Sequence, residues 1–225
     1  MPSIFIPTES AEQWAQFLAE PVKHWQKGFS ARTLAYSWQE AQGFPAEVRS
    51  VLATLEPFRD LELLLGVPEH QVPLPGGSRP SQNDIWCLAK TRANLVSIAV
   101  EGKVEEPFGP TLGEWQAEAS VGKSSRLAYL TEQLSLSGEL PSDLRYQLLH
   151  RSASAVIEAR RFFAPQAIML VHSFSPTKQW FSDYELFASL LGAKAVPNQI
   201  HAVGLRGGVE FFIGWVCGNQ AYLSR

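Results

Sequence analysis

The stretch Leu95–Lys103 reads LVSIAVEGK and decides how the rest of the chain is interpreted. Its first six residues are mostly apolar and rich in β-branched side chains, which is typical of a buried strand. Because side chains alternate along a strand, Glu101 and Lys103 share one face with the small residues Ser97 and Ala99. The other face is apolar and is expected to pack against helices.

The segment just before it, Asp84–Ala89 (DIWCLA), predicts a second strand that forms a hairpin with the first. The residues between the two segments are mainly polar and few enough for a hairpin loop. If Lys90 pairs with Leu95, Asp84 lies directly opposite Glu101, with their Cβ atoms about 5 Å apart. A slip of one residue would turn Asp84 to the opposite face. Two carboxylates this close repel each other, so we expect a bound cation or a raised pKa.

This pattern, an acid on one strand and Glu-x-Lys at the end of the next, resembles the PD-(D/E)XK nuclease-like superfamily. The resemblance covers roughly Ser30–Phe174 by the order of elements and is specific at Asp84 and at Glu101–Lys103. One departure is that Asn83, rather than proline, precedes the acid. The resemblance implies an α/β (α+β) fold, in which helices flank a mixed central β-sheet with a restriction-endonuclease-like core.

The same resemblance implies a role for each residue of the motif. Asp84 and Glu101 would bind Mg²⁺ or Mn²⁺, and the carbonyl group of Gly102 would be a further metal ligand. Lys103 would position or activate a water molecule. The implied reaction is metal-dependent hydrolysis of a phosphodiester bond, which makes the chain a candidate nuclease.

Further candidate site residues lie on predicted helices. Many superfamily members carry another acid on the first helix; Glu40 is the candidate here and Glu47 the alternative. Glu40 lies off the apolar stripe of its helix, which favours a solvated surface position. His150 and Arg151 are candidate contacts of a scissile phosphate, since a guanidinium group suits phosphate geometry. The alternative for this pair is a surface position or a buried structural hydrogen bond.

The resemblance favours DNA over RNA as the partner. A homodimer would also fit, because cutting both strands commonly uses two copies of one site. However, the formal net charge of −3 counts mildly against a broad nucleic-acid surface. Many superfamily members are not active nucleases. The alternative function is therefore a catalytically inactive nuclease-fold protein that acts as a binding or scaffold module.

The composition indicates a well-packed globular protein, with 45% hydrophobic and 18% charged residues. We predict a single domain over residues 1–225, with a mainly helical part over 1–58 and the nuclease-like α/β core over 59–225. Cys87 and Cys217 have no paired spacing, which favours reduced thiols and a cytoplasmic location. The first ten residues do not resemble a signal peptide, and no apolar run is long enough to span a membrane.

Two further patterns are weaker. Pro68–His70 predicts the turn of a hairpin, which would leave Glu69 and His70 as exposed turn residues. Ala117–Ser124 fits a relaxed phosphate-loop pattern, but the loop lacks glycines and no convincing strand precedes it. The remaining sequence predicts helices over 10–19, 31–42, 45–55, 123–136, 141–163 and 179–191, and strands over 61–67, 71–74, 167–173, 199–205 and 209–217.

Overall fold

A six-stranded mixed sheet organises the computed structural model, which describes residues 8–225. The strands are β1 (Glu62–Val72), β2 (Ser81–Lys90), β3 (Leu95–Lys103), β4 (Gln166–Ser173), β5 (Gln199–Arg206) and β6 (Val209–Cys217). The α-helices are α1 (Pro21–His24), α2 (Ser30–Ala41), α3 (Ala46–Leu52), α4 (Leu112–Gln116), α5 (Val121–Gln133), α6 (Tyr146–Arg161) and α7 (Phe181–Leu190). Short 3-10 helices cover Ala11–Phe17, Glu56–Phe58 and Gln220–Ser224.

The strands lie in the order β1-β2-β3-β4-β6-β5. The first three form an antiparallel meander, β4 is parallel to β3 and to β6, and β5 is antiparallel to β6. A parallel neighbour requires a crossover connection, and α4, α5 and α6 supply it between β3 and β4. The predicted α+β class, a mixed sheet flanked by helices, is therefore confirmed.

The register predicted for the β2–β3 hairpin is also confirmed. Lys90 pairs with Leu95, and the ladder continues without a shift to Ile85 opposite Val100. The next position along this ladder sets residue 84 opposite residue 101. The short polar connection fixes this register, because a tight hairpin loop leaves the strands little freedom to slide.

Helices cover the sheet on both faces. The apolar face of β3, with Val96, Ile98 and Val100, packs against Leu34 and Trp38 of α2, as expected from the alternation of side chains. On the other face α6 lies close to the sheet, because its central residues are small and fully buried, namely Ser152, Ala153, Ser154 and Ala155. This close packing brings the first turns of α6 over the end of β3.

The prediction of a hairpin around Pro68–His70 is wrong. β1 runs unbroken from Glu62 to Val72 and pairs with β2 along its length. Glu69 has a positive φ of 51° and still keeps the register of the ladder, whose one shift lies earlier, between Leu63 and Leu65. Cross-strand hydrogen bonds and burial of the neighbouring side chains therefore override the turn propensity of proline here.

The phosphate-loop pattern lies in helical structure. Ser120 caps α5 by accepting a hydrogen bond from the Lys123 N–H, and the element before it is the helix α4 rather than a strand.

Before β1, every assigned element among the described residues is helical. The single-domain boundary stays a prediction. The prediction about a signal peptide concerns the first ten residues. Residues 1–7 of these lie outside the described part of the chain. Within residues 8–225, no helix has the length and apolar character that a membrane span requires.

Candidate active site

Three acidic residues lie side by side across the antiparallel meander. The β1–β2 register, with Pro68 opposite Ile85 and His70 opposite Asn83, sets Glu69 opposite Asp84. The β2–β3 register sets Asp84 opposite Glu101. We call these three residues the acidic row. Because directly opposed residues share one face of a sheet, all three side chains line the same pocket.

Asp84 is the central member of the acidic row and is held by the backbone of the next strand. Its Oδ2 accepts a hydrogen bond of 2.7 Å from the N–H of Gly102. A Cβ atom at Gly102 would lie 3.3 Å from that oxygen and 3.3 Å from a methyl group of Leu34. Burial, and then the charge of Glu101, raise the pKa of Asp84 to about 7. The raised pKa meets the expectation for two opposed carboxylates.

Glu101 carries two charged partners. Lys103 Nζ lies 2.6 Å from one carboxylate oxygen, and Arg151 Nε lies 2.5 Å from the other. The three residues are only 2%, 4% and 7% exposed, respectively. Burial alone would raise the pKa of Glu101, but Arg151 and Lys103 hold it below its usual value. Glu101 is therefore an anion at neutral pH, whereas Asp84 is close to its titration point.

Arg151 and its neighbour His150 occupy different positions. Arg151 lines the pocket, and its Nη1 also donates a 3.2 Å hydrogen bond to Ser81 Oγ. His150 Nδ1 lies 2.7 Å from the same hydroxyl group and is not among the lining residues. Burial, followed by the nearby Arg151 charge, lowers the pKa of His150 well below its usual value. His150 therefore supports Arg151 through Ser81, and the structure brings only Arg151 to the pocket.

Glu69 is a pocket residue that the sequence analysis missed. Its carboxylate accepts a 2.8 Å hydrogen bond from the side-chain amide of Gln82. Burial, and then the charge of Asp84, raise its pKa well above the usual value for a glutamate. The sequence signal that could have found it is the alternation of side chains along a strand. If the strand continues through Pro68, Glu69 has the same side-chain orientation as Val67 and Gln71, and pairing with the next strand can place it opposite Asp84.

The two helix-borne acids lie outside this pocket. Glu40 is exposed and forms a 3.0 Å ion pair with Arg225. Glu47 lies 3.3 Å from His172 and accepts a 3.1 Å hydrogen bond from the N–H of Asn219. Both acids are thus engaged with residues of the C-terminal half of the chain. The structure does not bring either of them to the acidic row.

The pocket that contains the acidic row has a volume of about 350 Å³. Its second wall comes from the start of the chain and consists of Leu18, Ala19, His24, Phe29, Ser30 and Ala31. We call these residues the N-terminal wall. Glu106 fastens this wall to the end of β3, because its two carboxylate oxygens accept hydrogen bonds from the N–H of Ser30 (2.8 Å) and of Val104 (3.0 Å).

The donor chemistry of the pocket suits a hard divalent ion. Carboxylate oxygens are the ligands that Mg²⁺ and Mn²⁺ prefer, and each oxygen has a second acceptor site beyond one hydrogen bond. The acids also outnumber the cations, which are Lys103 and Arg151. Within residues 8–225, however, no three His, Cys, Asp or Glu side chains converge closely enough to hold a metal ion. Glu101 would share its oxygens between an ion and its two cationic partners.

Comparison with known proteins gives a family without an assigned activity. A model described as a domain of unknown function, DUF6946, matches residues 7–220. Searches of the curated proteins and of the solved structures found no match to this chain. The match extends over all six strands and the acidic row, and the chain therefore belongs to the DUF6946 family.

Proposed function

We propose that this chain is a metal-dependent phosphodiester hydrolase, a nuclease with a site of the PD-(D/E)XK type. One observation carries the proposal: Asp84, Glu101 and Lys103 line a single pocket at the end of two adjacent strands. An ion pair that served stability alone would not need a second acid, because placing the half-buried Asp84 beside the buried carboxylate of Glu101 brings like charges together at a cost in stability. Such an arrangement of perturbed acids in a pocket is typical of functional sites.

The ion would be Mg²⁺ or Mn²⁺, held by Asp84 and Glu101 with the carbonyl group of Gly102. Glu69 lies next to Asp84 in the acidic row and would add negative charge beside the ion without being a third carboxylate ligand. When bound, the ion would lower the pKa of a water molecule and stabilise negative charge on the phosphate. The raised pKa of Asp84 supports this assignment, since excess negative charge in the pocket favours an added cation.

The residues of the chain have separate tasks in this proposal. Lys103 orients the attacking water, whose oxygen bonds to phosphorus as the bond from phosphorus to the leaving oxygen breaks. Arg151 holds Glu101 in place and keeps it ionised through the 2.5 Å contact. It also offers its remaining N–H groups to phosphate oxygens. The proton released by the water passes to solvent or to the leaving oxygen.

DNA is the proposed substrate, and a homodimer would allow two strands to be cut. The proposed location is the cytoplasm, because Cys87 and Cys217 are both free thiols. The superfamily resemblance supports the choice of DNA. Because the pocket is acidic, a nucleic-acid backbone can approach it only when a bound cation offsets the negative charge of the carboxylates.

The test is cleavage of a plasmid and of a labelled single strand with Mg²⁺ or Mn²⁺, and with EDTA as the blank. We expect metal-dependent cleavage that Lys103→Ala and Asp84→Asn each abolish. Glu40→Gln is the matched control, since Glu40 is an exposed acid outside the pocket. Cleavage that persists in an Asp84→Asn, Lys103→Ala double variant would refute the assigned roles.

A second candidate function is a binding module without catalysis. The observation that favours it is that Lys103 and Arg151 are both engaged with Glu101, so the ion pairs are complete within the chain. In that case the variants above would change stability, and no nucleic acid would be cleaved under any metal condition.

A further inference from the structure

The acidic row shares its pocket with residues from the start of the chain. Asp84 and Glu101 line one pocket together with the residues of the N-terminal wall. A volume of about 350 Å³ lies at the small end of the range for small-molecule sites. A pocket of this size can hold one phosphate group together with its own nucleotide.

The wall is fixed in this position by backbone contacts. Glu106 accepts hydrogen bonds from the N–H of Ser30, at the start of α2, and from the N–H of Val104, next to Lys103. The wall and the end of β3 are thus joined through one carboxylate. Hydrogen bonds to an ionised acceptor are stronger than those between neutral groups, so the position of the wall next to the end of β3 is a built feature of the fold.

The pocket lining also includes two aromatic side chains that suit an unpaired base. Phe29 is 39% exposed and lines the pocket together with His24, which is exposed. Bases stack on aromatic side chains when they are free of their own duplex, and this contact does not depend on sequence. A base in a duplex is already stacked and has no face to offer.

Resting on the proposed function, we infer that the substrate is single-stranded DNA, threaded one nucleotide at a time between the N-terminal wall and the acidic row. A continuous duplex carries a second strand and stacked bases beside every phosphate, and these would collide with the wall. An extended single strand has a rotatable backbone and can turn one phosphate inward while a base lies on Phe29.

The test is fluorescence anisotropy in Mg²⁺ with a labelled single strand and the blunt duplex of the same sequence, both made with phosphorothioate linkages so that cleavage does not interfere. We expect the single strand to bind at least about tenfold more tightly, and Phe29→Ala to reduce that affinity about tenfold. Phe29→Tyr keeps the ring and should keep the affinity. Phe163→Ala is the matched control, because Phe163 is 92% exposed and lies beyond the far end of α6.

A second variant tests the wall itself. Glu106→Ala removes both hydrogen bonds to the backbone. It should reduce the difference in binding affinity between single strand and duplex, chiefly by increasing the affinity for duplex. Equal binding of the two oligonucleotides by the wild-type protein would overturn the inference. If Phe29→Ala, confirmed as folded by thermal melting, binds the single strand normally, the stacking contact is overturned.

The outcomes also separate this inference from the nuclease proposal. Selective binding of the single strand without cleavage in Mg²⁺ or Mn²⁺ would support the inference and refute the hydrolase. Cleavage of blunt duplex at the same rate as single strand would support the hydrolase and refute the inference. Binding of neither oligonucleotide would overturn both.

Discussion

Glu101 and Arg151 form a buried ion pair that joins the end of β3 to the first turns of α6, with 2.5 Å between Oε2 and Nε. The Nη1 group of Arg151 donates a hydrogen bond to Ser81 Oγ, so the guanidinium group links β2, β3 and α6. The closeness of α6 to the sheet, which its small residues permit, makes this contact possible. The stability of the pocket should therefore depend strongly on one arginine.

We expect Arg151→Met to lower the free energy of unfolding by about 3 to 5 kcal/mol, because it leaves a buried carboxylate with one cation instead of two. Urea unfolding followed by tryptophan fluorescence measures the change. Arg92→Ala is the control, since Arg92 forms an exposed pair with Asp60 and should change stability by less than about 1 kcal/mol. Similar effects of the two variants would contradict the assigned role of Arg151.

Asp84 should make the metal-free protein less stable as pH rises. Its pKa is about 7 in the folded state, against about 4 in an unfolded chain. The folded state therefore holds the proton more tightly, and ionisation between about pH 4 and pH 7 costs stability that is fully lost above pH 7. Asp84→Asn should remove this dependence and raise Tm at pH 8 by at least about 2 °C. A variant that melts lower than the wild type at pH 8 would contradict this.

Divalent cations should stabilise the protein through the same residue. Since a bound ion raises apparent stability by mass action, Tm should increase with Mn²⁺ concentration in the wild type. Asp84→Asn should abolish the increase, whereas Glu40→Gln, which changes an exposed acid paired with Arg225, should retain it. If both variants respond like the wild type, the cation binds elsewhere.

Glu69 should contribute to cation affinity although it lies on β1. Glu69→Gln keeps the shape and the amide contact to Gln82 but removes one charge from the acidic row. We expect Mn²⁺ affinity to fall about tenfold, measured by isothermal titration calorimetry. Glu62→Gln is a control on the same strand, because Glu62 is exposed and pairs with Lys90. Equal affinity in Glu69→Gln and Glu62→Gln would exclude Glu69 from the cation site.

The sequence alone was sufficient to predict the part of the fold that depends on the alternation of side chains along a strand and on the length of a hairpin loop. The stretch Leu95–Lys103 predicted both faces of β3, and the short loop after Lys90 set the register that brings Asp84 opposite Glu101. These features are local, so they can be inferred from a few neighbouring residues. The same alternation predicted that the apolar face of β3 packs against helices, and α2 lies there.

The sequence was insufficient where distant segments meet. Pro68 indicated a turn, and only pairing with β2 shows that the strand continues and turns Glu69 inward. Arg151 was a candidate phosphate contact or a buried structural residue, and its ion pair with Glu101, which lies 50 positions earlier in the chain, has no local signal in the sequence. The N-terminal wall and its attachment through Glu106 also depend on contacts between remote residues, for which a single sequence has no local signal.

The tight turn between β2 and β3 lies at the opposite end of the strands from the acidic row. Lys90 lies six residue steps along the extended chain from Asp84, which corresponds to about 20 Å. Ala93 in this turn is exposed, and Cys87, the nearby thiol, is fully buried. Ala93→Cys, combined with Cys217→Ser because Cys217 is a half-buried free thiol, therefore offers an attachment point for a dye or a surface tether, from which strand binding could be followed on single molecules without touching the pocket.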